Sequence, residues 1–348
     1  MPTQHDAREH KKFRIRFLTR SGAIRIATLL GSLAILGAVI YAQCINMPGE
    51  SHRGLLPPAT DAQTQLARAL RADVEMLAGE FAERHTFNQP VMTRSSEWLE
   101  SRLRGIGYET VEHVFVPDTD APNLIVEVRG TSQPNEVVLV GAHFDSELHT
   151  PGADDNASGV AGVLALAQHF HDRPQARTLR FACFVNEEPP HFMQPTMGSL
   201  VYAKTCADRG DRITAMIAFE MLGYFDDAPG SQQYPPPLSS FYPSTGDFIA
   251  FVGDLGSRDL VREAIASFRT HAQFPSEGVA LPESIEGIGW SDHWAFWQAG
   301  YPAIMVTDTA HFRNPHYHRS SDTPGTLDYD RMSRVVEGMI RVVEDLAR

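Results

Sequence analysis

Apolar residues recur along this chain at two spacings, and the spacing decides what each run can be. The stretches "NLIVEVRG" (123–130), "EVVLVGAHFDS" (136–146), "TLRFACFVN" (178–186), "AMIAFEM" (215–221), "FIAFVGD" (248–254) and "PAIMVTD" (302–308) hold compact, largely β-branched or aromatic runs, as buried strands do. Between them, residues 158–170, 197–210, 256–272 and 328–346 place apolar residues at helical spacing. Two more helices, over 60–81 and 93–107, precede any strand, and "TVEHVFV" (110–116) reads as an antiparallel neighbour of the strand after it. The alternation predicts an α/β fold with a mixed, mostly parallel central sheet flanked by helices. Residues 225–246, rich in Pro, Ser and Tyr, form a long irregular insertion, and there is no internal repeat.

One apolar run is of another kind. Ile26 to Ala42 is seventeen residues without a charge, behind a segment in which residues 1–25 hold seven Lys/Arg against two acids. Counted from Ser21 to Gln43 it can span a bilayer. It reads as a signal anchor: residues 1–20 a basic cytoplasmic leader, 21–43 a transmembrane helix, 44–60 a Pro/Gly-punctuated linker, and 61–348 the folded domain. The positive-inside rule then puts that domain outside the cytoplasm, in the periplasm or the extracellular space. A cleaved signal peptide is the alternative. The whole chain of 348 residues has a formal net charge of −13, and with its basic residues concentrated in the leader the domain is more acidic still. That excludes nucleic acid as a partner. Three cysteines, Cys44, Cys183 and Cys206, build no disulfide framework.

Ligands of open α/β sheets bind beyond the carboxyl ends of the strands, so the polar residues after each apolar run form a set. They are His143 and Asp145, Asp154 and Asp155, Glu187 and Glu188, Glu220, and His316, His318 and Asp322. Taken singly each has an ordinary explanation: "DDNASG" a turn and helix cap, the paired glutamates a solvated loop, the histidines surface residues. Taken in order they are imidazoles and carboxylates after successive strands, which is the donor chemistry of zinc. Ser291-Asp292-His293 is no catalytic triad, since three consecutive residues cannot converge on one another, and Ser291 reads as a helix cap.

These separated motifs, in this order, resemble the co-catalytic zinc peptidase family of secreted bacterial aminopeptidases, glutamate carboxypeptidases and glutaminyl cyclases, over roughly residues 90–348. The resemblance implies a zinc exopeptidase-like, three-layer α/β/α domain holding two zinc ions. It makes His143, Asp155, Glu188, Glu220 and His318 the metal ligands, with Asp155 bridging and Glu220 standing where the family usually has Asp. Glu187 becomes the general base and Asp145 the acceptor of the other N–H of His143. Glu187 and Glu188, adjacent on an extended strand, are expected to point to opposite sides. The Asn156-Ala-Ser sequon is too crowded beside a bridging ligand to be glycosylated. The activity implied is hydrolysis of a peptide substrate by an aminopeptidase. Carboxypeptidase action, glutaminyl cyclisation and a non-catalytic ectodomain are the alternatives.

Overall fold

The computed structural model describes residues 20–348, and the leader expected over residues 1–20 lies, Arg20 apart, outside the described residues. Helix α1 (Arg20–Ile40) continues as a π-turn to Ile45, and the described residues up to Gln43 belong to a unit separate from the rest. Its apolar side chains, Leu29, Leu33 and Leu36 among them, are exposed. Among the described residues, Ser21–Ile45 is the one helical stretch long and apolar enough to cross a membrane.

Residues 44–348 form the second unit. Its strands β1 (Glu112–Val114), β2 (Asn123–Val128), β3 (Gln133–His143), β4 (Arg177–Phe184), β5 (Arg212–Glu220), β6 (Ile249–Gly253), β7 (Ser276–Ala280) and β8 (Ala303–Thr307) make one sheet in the order β1-β2-β4-β3-β5-β8-β6-β7. The pairs β3/β4, β3/β5, β5/β8 and β6/β7 are parallel, and β1/β2, β2/β4 and β6/β8 antiparallel.

The two-residue period of the strands divides the core in two. Val138, Val140 and Ala142 of β3, with Phe181 and Cys183 of β4, face a layer of α2 (Asp61–Glu75), α3 (Gln89–Ile106), α4 (Gly159–Phe170), α6 (Arg258–His271) and α8 (Tyr329–Leu346). Leu139 of β3 and Ala182 and Phe184 of β4 face α5 (Gly198–Arg209) and α7 (His293–Gln298) on the other side. Each side chain as large as Phe181 or Phe184, fully buried, contributes about 1.5–3 kcal/mol. Helix α2 is closed by a capping box: the Thr60 hydroxyl accepts from the Gln63 N–H at 3.1 Å, and the Gln63 side chain accepts from the Thr60 N–H at 2.9 Å.

Local differences from the sequence expectation have local causes. Helix α3 starts at Gln89 rather than Thr93, because Pro90 fits a first helical turn, where its missing N–H costs nothing. Strand β7, "SEGVA", was not anticipated: five residues containing Glu277 and Gly278 show no strand pattern. Residues 44–60, expected as a linker, lie along the body. Met47 is buried beside Gly278, where it takes the space a Cβ would need. The Arg269 guanidinium donates to the carbonyls of Met47, Pro48 and Gly49 at 3.4, 3.1 and 3.2 Å. On the outer side of the edge strand β7, the Ser276 N–H donates to the Ser51 hydroxyl at 2.9 Å, and the Ser276 carbonyl accepts from Arg269 at 2.6 Å. The strap thus satisfies backbone groups that an open sheet edge would leave free.

Candidate metal centre

Strands β3, β4 and β5 run parallel and side by side, so their carboxyl ends open along one rim. His143 closes β3, and its Nε2 lies 3.5 Å from Asp155 Oδ1, 3.3 Å from Glu220 Oε2 and 3.8 Å from Glu187 Oε2. His318 arrives from the last loop, with Nε2 3.2 Å from Asp155 Oδ2 and 3.4 Å from Glu188 Oε2. Asp155 therefore offers one oxygen to each histidine. Donor atoms of His143, Asp155 and Glu220 lie within 4.8 Å of one another, and so do those of Glu147, Glu188 and His318 and those of His143, Glu187 and Glu188. Imidazole nitrogens and carboxylate oxygens at such mutual distances, all buried except those of Glu147 and His318, are a set that fits zinc. Glu188 Oε1, buried and without a hydrogen-bond partner, is one donor that a cation would satisfy.

Each donor is held from behind. Gly152, at φ +64°, turns the chain where a Cβ would stand 2.5 Å from the Asp155 carbonyl oxygen. The Asp322 carboxylate then accepts the N–H groups of Asp154 and Asp155 at 2.9 and 3.1 Å. Asn156 is fully buried, donating to the Phe219 carbonyl at 2.8 Å and accepting from the Gly159 and Met221 N–H groups at 3.1 Å each. A glycan has no access there.

Strand β4 ends at Phe184, and Asn186 at φ +59° turns the chain, so Glu187 and Glu188 are displayed by a turn and not by strand alternation. The expected opposition of their side chains is not found: a carboxylate oxygen of each lies within 4.8 Å of the other, and both line the same mouth. Both N–H groups point at Asp145, whose carboxylate accepts from Glu187 at 3.2 Å and Glu188 at 2.9 Å. Asp145 was expected to take the second N–H of His143. His143 Nδ1 lies 3.2 Å from the Asp145 backbone oxygen and 3.6 Å from its carboxylate. The side chain also holds the turn that carries the two glutamates.

Electrostatics follow from acids crowded together. Burial pushes Glu188 up to about 8, with the Asp155 charge adding to it, and raises Glu187 and Glu220. His318 is pushed up to about 11, hydrogen bonds to Asp155 and Glu188 overriding a burial that works the other way. Beneath them lies Arg84, fully buried, donating to the carbonyls of Phe144, Leu77, Pro151 and Gly152 at 2.6, 2.6, 2.8 and 2.9 Å. Burial lowers it to about 10, opposed by the charges of Asp145, Asp322, Asp155 and Glu188.

Some residues named from sequence do other work. His316 meets the Ser321 hydroxyl at 2.9 Å, and Asp154 accepts from Asn314 at 2.7 Å and the Gly223 N–H at 2.9 Å. Ser291 is not a helix cap: its hydroxyl donates to Glu220 Oε2 at 2.6 Å, and Asp292 occupies the cap position of α7 without a side-chain bond. Sequence reasoning missed Arg84, which has no motif, and Glu147. Glu147 sits two and four residues after Asp145 and His143, a period-2 signal that was available, and its Oε2 is 4.0 Å from His318 Nδ1.

A mouth of about 270 Å³ opens over the centre, lined by Asp155, Glu187, Glu188, Glu220 and the aromatic rings of Phe192 and Trp290. Beside it a cavity of about 100 Å³ is walled by Tyr234, Leu238 and Tyr242 of the insertion and by Phe248, Val252 and Met305 of the sheet. Glu220, Trp290 and Tyr317 line both. The two tyrosine hydroxyls are engaged with the carbonyls of Pro243 and Gly278, which leaves that cavity a mainly apolar surface.

The family model "Peptidase family M28" matches residues 123–343. The Escherichia coli K12 protein YfbL is 39% identical over 263 residues, 72% of this chain and 80% of its own. Leucine aminopeptidase 1 of Trichoderma harzianum is 26% identical over 274 residues, 73% of this chain and 63% of its own. Among solved structures, the LapA aminopeptidase of Legionella pneumophila superposes with a TM-score of 0.65 at 17% identity, covering 85% of this chain and 77% of that one.

Proposed function

The chain belongs to peptidase family M28, and on that premise we propose that it is a zinc-dependent exopeptidase, an aminopeptidase, that binds two zinc ions. His143, Asp155 and Glu220 would hold one ion, and Asp155, Glu188 and His318 the other. Zinc bound there would acidify a water molecule and polarise the scissile carbonyl. Glu187 is left over from the ligand set and faces the same mouth. As general base it takes the proton of the attacking water and gives it to the leaving amine, as a C–O bond forms and the peptide C–N bond breaks. The apolar cavity beside Glu220 accepts the side chain of the residue being released, and Trp290 and Phe192 shield the mouth from water.

The observation that carries the reading is the convergence of five separated chain segments on one rim, with Glu187 at the mouth in excess of the donors assigned to the two ions. Retention of both His143 and Glu220 favours hydrolysis over glutaminyl cyclisation, for which one ion suffices. By the charge bias of the leader, the apolar N-terminal helix anchors the protein with this domain on the extracytoplasmic side.

The test uses full-length protein in detergent. Metal analysis is expected to give two zinc per chain, and hydrolysis of aminoacyl substrates with large apolar residues is expected to stop with chelator and return with zinc. One zinc, with cyclisation of N-terminal glutamine and no hydrolysis, would overturn the proposal.

A further inference from the structure

Glu147 is a carboxylate that the proposed ligand set does not use. Its backbone carbonyl accepts the Thr150 N–H at 3.2 Å and the Thr150 hydroxyl at 2.8 Å, and its Oε1 accepts the Leu148 N–H at 2.7 Å. A turn therefore fixes the residue and one of its two oxygens. The other, Oε2, faces His318 Nδ1 across 4.0 Å, too far for a hydrogen bond. His318 turns its opposite nitrogen, Nε2, to Asp155 and Glu188. The Glu147 side chain keeps 21% of its surface exposed, so it stands at an edge that solvent and ligands reach.

Which edge this is follows from the shape of the site. Glu220, Trp290 and Tyr317 line both the mouth and the apolar cavity, and that cavity takes the side chain before the scissile bond. Glu188, Pro189, Phe192 and His318 line the mouth but not the cavity. A peptide with its first side chain in the cavity and its scissile carbonyl over the donors therefore leaves past this second wall. Donor atoms of Glu147, Glu188 and His318 lie within 4.8 Å of one another, which puts Glu147 at that exit. The carboxylates of Asp155, Glu187, Glu188 and Glu220 match the charge of the two proposed ions, which leaves Glu147 in excess. Glu83 and His149, 3.8 Å apart, offset one another beside the turn.

We infer that Glu147 is a specificity-determining residue, which selects peptides with a basic residue immediately after the scissile bond and rejects those with an acidic one there. The inference rests on the aminopeptidase reading above. A lysine or arginine in that place brings its cation toward Oε2, and a glutamate brings a like charge. Because the carboxylate is partly exposed, salt screens it, and the expected effect is about fivefold.

Full-length, zinc-loaded protein is assayed in detergent on the peptides Leu-Arg-Ala and Leu-Glu-Ala. The ratio of their kcat/KM values is expected to favour arginine by about fivefold at low ionic strength, and by less as salt is raised. Glu147→Gln is expected to bring the ratio close to one, and Glu147→Lys to reverse it. A ratio taken on one sample does not depend on how much of a variant folds. Glu147→Gln is also expected to keep the zinc content of the wild type, as a residue of the exit wall does and a metal ligand does not. Equal rates on the two peptides in the wild type, an unchanged ratio in Glu147→Gln, or loss of zinc from that variant would overturn the inference while leaving the enzyme reading intact. A zinc-loaded wild type that cleaves neither peptide would overturn the enzyme reading itself.

Discussion

At the scale of single residues, ionised groups are close together, and their neighbours decide what each can do. Glu187 faces the same mouth as the proposed ligands but is the carboxylate they do not need. Glu187→Gln is therefore expected to keep its zinc while turnover falls by about 10²–10⁴-fold. His143→Ala, by contrast, is expected to lose metal as well. Zinc analysis beside kinetics separates the two, and equal metal loss would contradict the assigned roles. Arg84 is the counter-charge beneath the acids, bonded to four backbone carbonyls. Arg84→Met strands those carbonyls and leaves the acids uncompensated. A loss of about 3–5 kcal/mol is expected in denaturant unfolding. The residues that converge were legible because imidazoles and carboxylates stand after successive apolar runs. Arg84 was not, because a buried arginine differs from a surface one only in what surrounds it. Ser291 was misread as a cap because the position before a helix is the commonest place for serine, and only the fold brings Glu220 within its reach.

At the scale of elements, the turn after β4 shows how closely packed backbone can govern a site. Asn123 accepts from the Val185 N–H at 3.0 Å and donates to the Gly198 carbonyl at 2.9 Å, tying the end of β4 to the start of α5. A Cβ on Gly198 would stand 2.1 Å from the Val185 carbonyl oxygen. Gly198→Ala must therefore displace the segment that leads into Glu187 and Glu188. An overpacking cost of about 1–3 kcal/mol is expected, with a loss of activity larger than the loss of folded protein. Thermal melts run beside assays on the folded fraction would test it. Most strands and helices could be read from spacing, because a run buried on both faces cannot hide its composition. Strand β7 escaped because an edge strand needs little apolar surface of its own: part of its stability comes from Arg269, on the helix before it, and from the strap, which lies far away in the chain.

At the scale of the molecule, the layer order followed from the alternation of strands and helices, because parallel strands require crossovers that cover both faces. The position of β6 and β7 beyond β8 did not follow, since it depends on which way the chain returns. Stability of the whole can be titrated through one residue on α7. Burial pushes the His293 imidazole down to about 4 from an ordinary value of 6.5, and its Nε2 meets the Ile288 carbonyl at 2.7 Å. Below pH 6.5 the unfolded chain takes a proton that the folded one refuses. Stability thus falls between pH 6.5 and about 4, by about 3 kcal/mol in all, and is unaffected by this group above pH 6.5. His293→Gln keeps a donor and cannot titrate, so its unfolding midpoint is expected to change less with acid than that of the wild type. Parallel pH curves for the two proteins would count against this account.

The strap bears on where a protease can cut the chain. A protease needs several consecutive residues that can stretch into its open groove. Residues 47–49 have their carbonyls committed to one guanidinium, and Met47 is buried. This stretch should therefore resist limited proteolysis until Arg269→Ala loosens it, so clipping of the intact protein would fall outside residues 47–49.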